Sequence, residues 1–207
     1  MGLINPAHAL QFGIILTLLG VTLLYVKINI LTAFLSLLTT FLYVLVYTPM
    51  KRTSWLNTTV GAVPGAIPVL GGWSAATGHL NFDAGILFLI LFIWQHPHFY
   101  AIAWMCKDDY KRGGFKMLSV VEPDGKKLFS QIFWYSFVLI PVSMIPYFRG
   151  LSGPIYLFGA LIASGLLLMV ALKLIKTHTY TDARKLLQAT VIYLPVLLFL
   201  IILDIHI

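Results

Sequence analysis

The stretch Lys107-Asp108-Asp109-Tyr110-Lys111-Arg112-Gly113-Gly114-Phe115-Lys116-Met117-Leu118 sets two adjacent carboxylates among four cations and a glycine pair. Carboxylates hold Mg2+, and Mg2+ bridges to phosphate oxygens. Lys and Arg neutralise the remaining phosphate charge, and glycines let backbone N–H groups approach an anion. This segment could therefore be a metal–diphosphate site, or simply a solvated loop with local ion pairs. A second stretch, Tyr47-Thr48-Pro49-Met50-Lys51-Arg52-Thr53-Ser54-Trp55-Leu56-Asn57, offers Lys51 and Arg52 to the same phosphate. Its plain alternative is a topological anchor with an interfacial tryptophan.

A third stretch lies inside an apolar run: Trp94-Gln95-His96-Pro97-His98-Phe99-Tyr100-Ala101-Ile102-Ala103-Trp104. Polar side chains in such a run are costly and point to function. On a helix Trp94 and His98 share a face, and Gln95 sits three residues before His98. His96 and His98 would lie about 200° apart, too far to hold one metal unless Pro97 unwinds the turn. Each histidine is either a satisfied hydrogen-bonding residue or a ligand. The aromatics fit a packed core, an interfacial belt, or a wall facing a carbocation through cation–π contact. A fourth stretch carries Gly61, Pro64, Gly65, Pro68, Gly71 and Gly72. Gly61 and Gly65 allow close helix packing. The two prolines predict a bent or broken helix, and irregular backbone at membrane depth is tolerated where it is buried or lines a cavity.

The elements that must position these groups are membrane helices. Of 207 residues, 59% are hydrophobic and only 10% charged, and the mean hydropathy is +0.91. Soluble domains carry about 25% charge, so lipid must be most of the solvent. Spans of roughly 20 apolar residues are expected near Ala9–Val26, Ile30–Tyr47, Asn57–Ala76, Ala84–Met105, Leu128–Phe148, Pro154–Lys173 and Leu187–Leu203, the third being the least hydropathic. Runs such as Ala84–Ile93 do not alternate, which excludes barrel strands. The 14 Lys and Arg split 12 to 2 between alternate connections, only Lys27 and Arg149 lying on the poor side. The positive-inside rule then puts the N-terminus and the chemistry-bearing loops inside. The net charge of +7 is thus mostly topology, with anionic lipid as its second partner, and no argument for nucleic acid. The one cysteine, Cys106, excludes an intrachain disulfide or a CxxC metal site and reads as a small hydrophobe near a helix end. Residues 1–207 are expected to form a single transmembrane domain. From composition alone, a lipid-diphosphate enzyme fits, and a channel or transporter fits almost as well.

These motifs, in order, resemble the haem O synthase (protohaem IX farnesyltransferase) branch of the UbiA-type intramembrane prenyltransferases. Gly2-Leu3-Ile4-Asn5-Pro6 is similar to that family's G-x-I-x-P opening, and Tyr47-Thr48, Lys51-Arg52 and Asn57 to its Y-T-x-x-K-R-x-T-x-x-N segment. Gly61, Gly65-Ala66, Pro68 and Gly72-Trp73 follow its glycine-rich helix. Trp94-Gln95, Pro97-His98-Phe99 and Ala103 resemble its W-Q-x-P-H-F-x-x-x-A segment. Asp109-Tyr110, Gly113-Gly114 and Met117-Leu118 resemble D-Y-x-x-G-G-x-x-M-L, and Ala183-Arg184-Lys185-Leu186 its A-R-K-L motif.

The resemblance implies an all-α bundle of the nine-helix UbiA type. It implies transfer of a farnesyl group from farnesyl diphosphate to a vinyl carbon of haem b, giving haem O and diphosphate for cytochrome oxidase. By position, Asp109, with Asp108 assisting, would hold Mg2+ and diphosphate. Lys51, Arg52, Lys111 and Arg112 would neutralise the leaving diphosphate, beside Asn57 and Tyr110. Trp94, Gln95, Phe99 and Tyr100 would line the substrate pocket, and His98 would contact haem or remove a proton. The lipid bilayer is the implied surrounding and haem A synthase the implied protein partner. With no targeting segment visible, the bacterial plasma (inner) membrane is expected ahead of the mitochondrial inner membrane.

The first aspartate-rich motif of the family, N-D-x-x-D-x-x-x-D, has no counterpart here, and seven spans are two short of nine. The expectation is an N-terminally truncated member, inactive on its own. Val69 replaces a family proline, and His96 stands where an apolar residue is expected. The rivals are a UbiA-type enzyme with a quinone-precursor or chlorophyllide acceptor, a transporter, and a non-catalytic haem-binding scaffold.

Overall fold

A computed structural model describes residues 5–205. The opening Gly2-Leu3-Ile4 of the family resemblance lies outside the described residues. Among the described residues ten α-helices follow one another: α1 (Pro6–Lys27), α2 (Ile30–Phe41), α3 (Thr48–Thr53), α4 (Asn57–Thr77), α5 (Phe82–Met105), α6 (Lys107–Arg112), α7 (Leu118–Val121), α8 (Lys126–Phe148), α9 (Pro154–Thr177) and α10 (Tyr180–Leu203). A π-helical turn over Leu42–Tyr47 fuses α2 and α3 into one rod. Pro49 has no N–H to give the preceding turn. The ladder shifts to the wider register, and the Thr48 hydroxyl donates to the Tyr43 carbonyl at 2.8 Å.

Seven long rods result, at the positions the hydropathy pattern predicts. Six of them are long and apolar enough to cross a membrane: α1, the Ile30–Thr53 rod, α5, α8, α9 and α10. The seventh, α4, falls short because glycine, alanine and proline fill it, and it packs between α2 and α5. It is one unbroken helix through Pro64 and Pro68, so of the bent or broken helix that the two prolines predict, the break does not occur. The last rod begins seven residues before the expected Leu187 boundary, so Arg184 and Lys185 ride on α10.

Local signals account for the ends. Asn5, Asn29, Asn81 and Thr179 each cap a helix by accepting from a backbone N–H one turn in, which satisfies a donor the helix leaves orphaned. Gly78 ends α4 and Gly125 precedes α8, both with positive φ, 78° and 74°, a conformation glycine adopts without strain.

The rods pack in the order α1–α2–α4–α5–α8–α9–α10, and α10 returns to α5. Helix α5 is therefore the hub, bounded by α4, α8 and α10. The interfaces close over small residues: Ala62, Ala66, Ala84, Ala101, Ala160 and Ala183 are all buried. With no hydrophobic drive between helices in lipid, close approach and interhelical hydrogen bonds hold them. One such knot joins α8, α9 and α10: the Tyr193 hydroxyl lies 2.6 Å from Ser143 Oγ and 3.1 Å from Ser164 Oγ. Another ties α2 to α4, where Thr32 Oγ1 and Ser74 Oγ are 2.7 Å apart and Asn29 donates to the Ser74 carbonyl. The outward faces are apolar, as a lipid-facing surface must be.

The connections gather at two ends. At one, Trp55 lies 3.6 Å beneath the Lys127 ammonium, and the Trp104 indole N–H donates to the His178 carbonyl. This basic end collects the loops rich in Lys and Arg. At the other, Arg149 pairs with Asp83, and Asp204 at the end of α10 accepts from the Tyr156 and Gly153 region that starts α9.

Candidate functional site

Helix α6 is a single turn and a half between α5 and the glycine pair. Its first turn carries Asp108 and Asp109 and its last carries Lys111 and Arg112. Asp109 forms an ion pair with Arg112, and both are exposed; such a pair contributes little and exchanges readily. Asp108 and Lys111 are exposed beside them. Tyr110 is half-buried with its ring edge-on to Phe115 at 6.0 Å. Burial first, and then the neighbouring Cys106 thiol, push the Tyr110 phenol above its ordinary value, so at neutral pH it is a hydrogen-bond donor.

The glycine pair does something other than cradle an anion. Gly113 N–H bonds to the Asp109 carbonyl, Gly114 N–H to Lys111 and Phe115 N–H to Tyr110. Gly114 takes the left-handed φ of 69°. This is a C-terminal helix cap, and its N–H groups are already committed. A Cβ on Gly113 would meet the Phe115 ring at 2.8 Å. Glycine is required here to end α6 and turn the chain back under the loop.

That turn stitches the two basic loops together. Lys116 N–H donates to the Lys51 carbonyl at 2.7 Å. The buried Asn57 amide donates to the Ser54 carbonyl at 2.7 Å and to the Lys116 carbonyl at 3.1 Å. The Arg52 guanidinium rests 5.7 Å from the Phe115 ring centre. Lys51 is held over two phenol rings, 4.4 Å from Tyr47 and 5.7 Å from Tyr43. Thus Lys51, Arg52 and Asn57 meet the loop that leaves α6, although Asn57 and Lys116 are 59 residues apart in sequence.

Beneath this junction is a cavity of about 90 Å³ lined by Tyr43, Tyr47, Thr58, Gly61, Gly65, Gln95, Phe99 and Met117. Gly61 and Gly65 make it possible. A Cβ at Gly61 would strike the Tyr47 ring at 2.6 Å, and one at Gly65 would lie 2.0 Å from Gln95 Oε1. The Gln95 amide is fixed by donating to the Ala62 and Leu91 carbonyls, each at 3.2 Å.

Around α5 the predicted residues divide by face. Trp94 and His98 turn toward α10, where the indole donates to the Thr190 carbonyl at 2.8 Å and His98 Nδ1 lies 2.9 Å from the Thr190 hydroxyl. Their rings stack with centroids 5.0 Å apart. His96 turns the other way, fully buried, stacked on Tyr135 at 3.6 Å with Nδ1 on the Phe92 carbonyl. The helix is continuous through Pro97, so the two histidines do not converge on one ion. Gln95 and Phe99 reach the cavity, whereas Tyr100 is buried in the core. Among the described residues, no three His, Cys, Asp or Glu side chains gather as a ready-made metal cage.

Tyr43, Thr58 and Thr190 are residues that sequence reading passed over. The Tyr43–Tyr47 spacing of one turn was a usable signal for the first. Thr58 and Thr190 carried none, because only packing of α4 and α10 against α5 makes them neighbours of the site.

The UbiA prenyltransferase family profile matches residues 1–201. This chain belongs to the UbiA prenyltransferase family. Among its relatives, the protoheme IX farnesyltransferase of Solibacter usitatus is 44% identical over 98% of this chain and 70% of its own length. That of Salinibacter ruber is 45% identical over 98% of this chain and 72% of its own. A solved structure of digeranylgeranylglyceryl phosphate synthase superposes with a TM-score of 0.80 at 20% identity, over 98% of this chain and 71% of that one. The last likeness establishes the all-helical UbiA-type membrane fold and nothing finer.

Proposed function

We propose that the chain takes part in transfer of a farnesyl group from farnesyl diphosphate to a vinyl carbon of haem b, yielding haem O and diphosphate. The observation that carries this is the seam between the two basic loops, Lys116 to Lys51 and Asn57, directly above the aromatic cavity. A charged mouth joined to a cavity walled by Tyr43, Tyr47 and Phe99 suits an isoprenoid diphosphate, which has one charged end and one apolar end. The family membership and the names of the two bacterial relatives support the same reading. Residues 1–207 are read as one prenyltransferase domain.

The roles follow from charge and position. Breaking the allylic C–O bond leaves both electrons on the diphosphate. Lys51, Arg52, Lys111 and Arg112 offset that developing charge, and preorganised cations are worth most where water is scarce. Tyr110 adds a neutral donor. The adjacent Asp108 and Asp109 suit Mg2+ bound together with diphosphate, because Mg2+ takes one or two carboxylates and fills its shell with phosphate and water. When bound, that ion would supply charge neutralisation on the diphosphate. Phe99 and the rings of Tyr43 and Tyr47, which line the cavity, shield the allylic cation, Gln95 and Asn57 keep the walls in place, and Trp94, on the α10 side of α5, backs the His98 ring.

Attack by the vinyl electrons forms the new C–C bond and leaves positive charge on the carbon beside the macrocycle. Discharging it, by loss of a proton or by addition of water, needs a proton acceptor. His98, on the α10 side of α5, is our candidate for this, or for a contact with the haem itself. The active-site loops face the cytoplasm in this reading, across a bacterial plasma (inner) membrane, with haem A synthase as the consumer of the product.

The test uses membranes carrying the whole gene product, with haem O quantified by mass spectrometry. Asp109→Ala and His98→Ala should each lower turnover about 100-fold or more. Wild-type turnover in both would sink the assignment.

A further inference from the structure

Helix α10 contributes one residue on which three hydrogen bonds meet, and none of the roles above uses it. The Thr190 hydroxyl donates to the Leu187 carbonyl one turn back, at 2.6 Å. A hydroxyl has one proton, so toward any other neighbour it can only accept. His98 Nδ1 lies 2.9 Å from that same oxygen. With the hydroxyl proton given to Leu187, the imidazole carries its own proton on Nδ1, and in the neutral ring Nε2 keeps the lone pair. Thr190 is fully buried, so no water competes for its hydroxyl, and hydrogen bonds strengthen in such surroundings. The Thr190 carbonyl meanwhile accepts the Trp94 indole N–H at 2.8 Å. The indole is thereby pinned against the His98 ring, 25° from parallel, while Phe99 meets the ring edge-on at 5.1 Å. Orientation and tautomer are both set from one residue of a different helix.

We infer that Thr190 is a positioning residue: it locks His98 as the Nδ1–H tautomer, so that Nε2 is the lone-pair nitrogen offered to the substrate. Among the described residues Nε2 has no hydrogen-bond partner, and the half-buried ring leaves it reachable. A lone pair is what either role of His98 demands, since a proton acceptor and a ligand to an electron-poor iron both use it. Free imidazole prefers its proton on Nε2, which would present an N–H where the lone pair is needed. Thr190 reverses that preference, as the partner of a ligating or catalytic histidine commonly does. The mechanistic consequence rests on the proposed role of His98; the tautomer itself does not.

The experiment is long-range 1H–15N correlation NMR on the 15N-histidine-labelled 207-residue chain in micelles, with the His98 signal identified by its loss in His98→Gln. The wild type and Thr190→Ser should have the proton on Nδ1. Thr190→Val, which swaps the hydroxyl for a methyl of similar size, should move it wholly or partly to Nε2. In membranes carrying the whole gene product, Thr190→Val should lower kcat for haem O formation about 10- to 100-fold with KM for farnesyl diphosphate unchanged, and Thr190→Ser should restore it. Finding the wild-type proton on Nε2, or no change in tautomer on Thr190→Val, overturns the inference. A tautomer that obeys Thr190 in a protein whose His98→Gln variant makes haem O at the normal rate would support the hydrogen-bond assignment and overturn the role given to His98.

Discussion

Gly65→Ala is the sharpest perturbation of the cavity wall. The added Cβ would stand 2.0 Å from Gln95 Oε1 and 2.9 Å from its Cδ. Comfortable contact needs about 3.5 Å, so the amide must retreat by more than roughly 1 Å. Both of its donor bonds, to Ala62 and Leu91, are already 3.2 Å long and break on such a shift. Leaving the buried amide donors unpaired costs about 1–3 kcal/mol. Alanine recovers about 0.5–1 kcal/mol through its better helix propensity. The net expectation is a loss of about 1–2 kcal/mol. In a Gln95→Ala background the obstacle is gone, and Gly65→Ala should become neutral or mildly stabilising. The assay is reversible unfolding of the detergent-solubilised chain by added SDS, followed by tryptophan fluorescence, for both singles and the double. Gly85→Ala on the neighbouring helix, where a Cβ meets nothing within 4 Å, serves as the control and should cost nothing. An equal loss for Gly65→Ala in both backgrounds would refute the reasoning, because the cost would then not come from Gln95.

Other consequences follow from the same geometry. Asn57→Ala removes the donor to the Lys116 carbonyl and one of the two donors to Ser54 and should loosen the seam by about 1–3 kcal/mol, seen as faster tryptic cleavage at Lys111 and Lys116; unchanged cleavage would argue against the seam. Tyr193→Phe removes the hydroxyl shared by Ser143 and Ser164 and should cost about 0.5–1.7 kcal/mol, the range for hydrogen bonds between membrane helices, in the same SDS titration. With Cys106 replaced by serine, Lys127→Cys and Arg149→Cys should react with an impermeant thiol reagent from opposite sides of sealed vesicles, Lys127→Cys from the cytoplasmic face; labelling from one side would break the topology. Chelating Mg2+ should abolish haem O formation in membranes carrying the whole gene product, and Asp109→Ala should raise the Mg2+ concentration needed for what activity remains.

Much of this arrangement could be read from the residues, and the exceptions have physical causes. Long apolar runs and the 12-to-2 division of cations located the seven rods, because lipid forces every backbone group to be satisfied within a helix. Helix α4 could be placed but not fully shaped: its prolines argue for a bend or a break, and packed between α2 and α5 it stays continuous. The start of α10 was missed because hydropathy begins at Leu187 while the helix begins at its Thr179 cap. In the site, residue types marked α6 and the His98 segment. The glycine pair was misread, since spacing alone does not tell an anion cradle from a helix cap, and the hydrogen bonds of Gly113 and Gly114 decide for the cap. Thr190 was invisible because its meaning arises only where α10 meets α5, 92 residues away from His98 in sequence.

The most direct test of the central claim is to supply isotope-labelled farnesyl diphosphate to membranes carrying the whole gene product, with haem b present, and to follow the label by mass spectrometry. The account predicts label in a haem species whose mass has grown by a farnesyl-derived group, with diphosphate released alongside it. Label recovered in a quinone precursor or a chlorophyllide, or diphosphate left intact on its carrier, would contradict it.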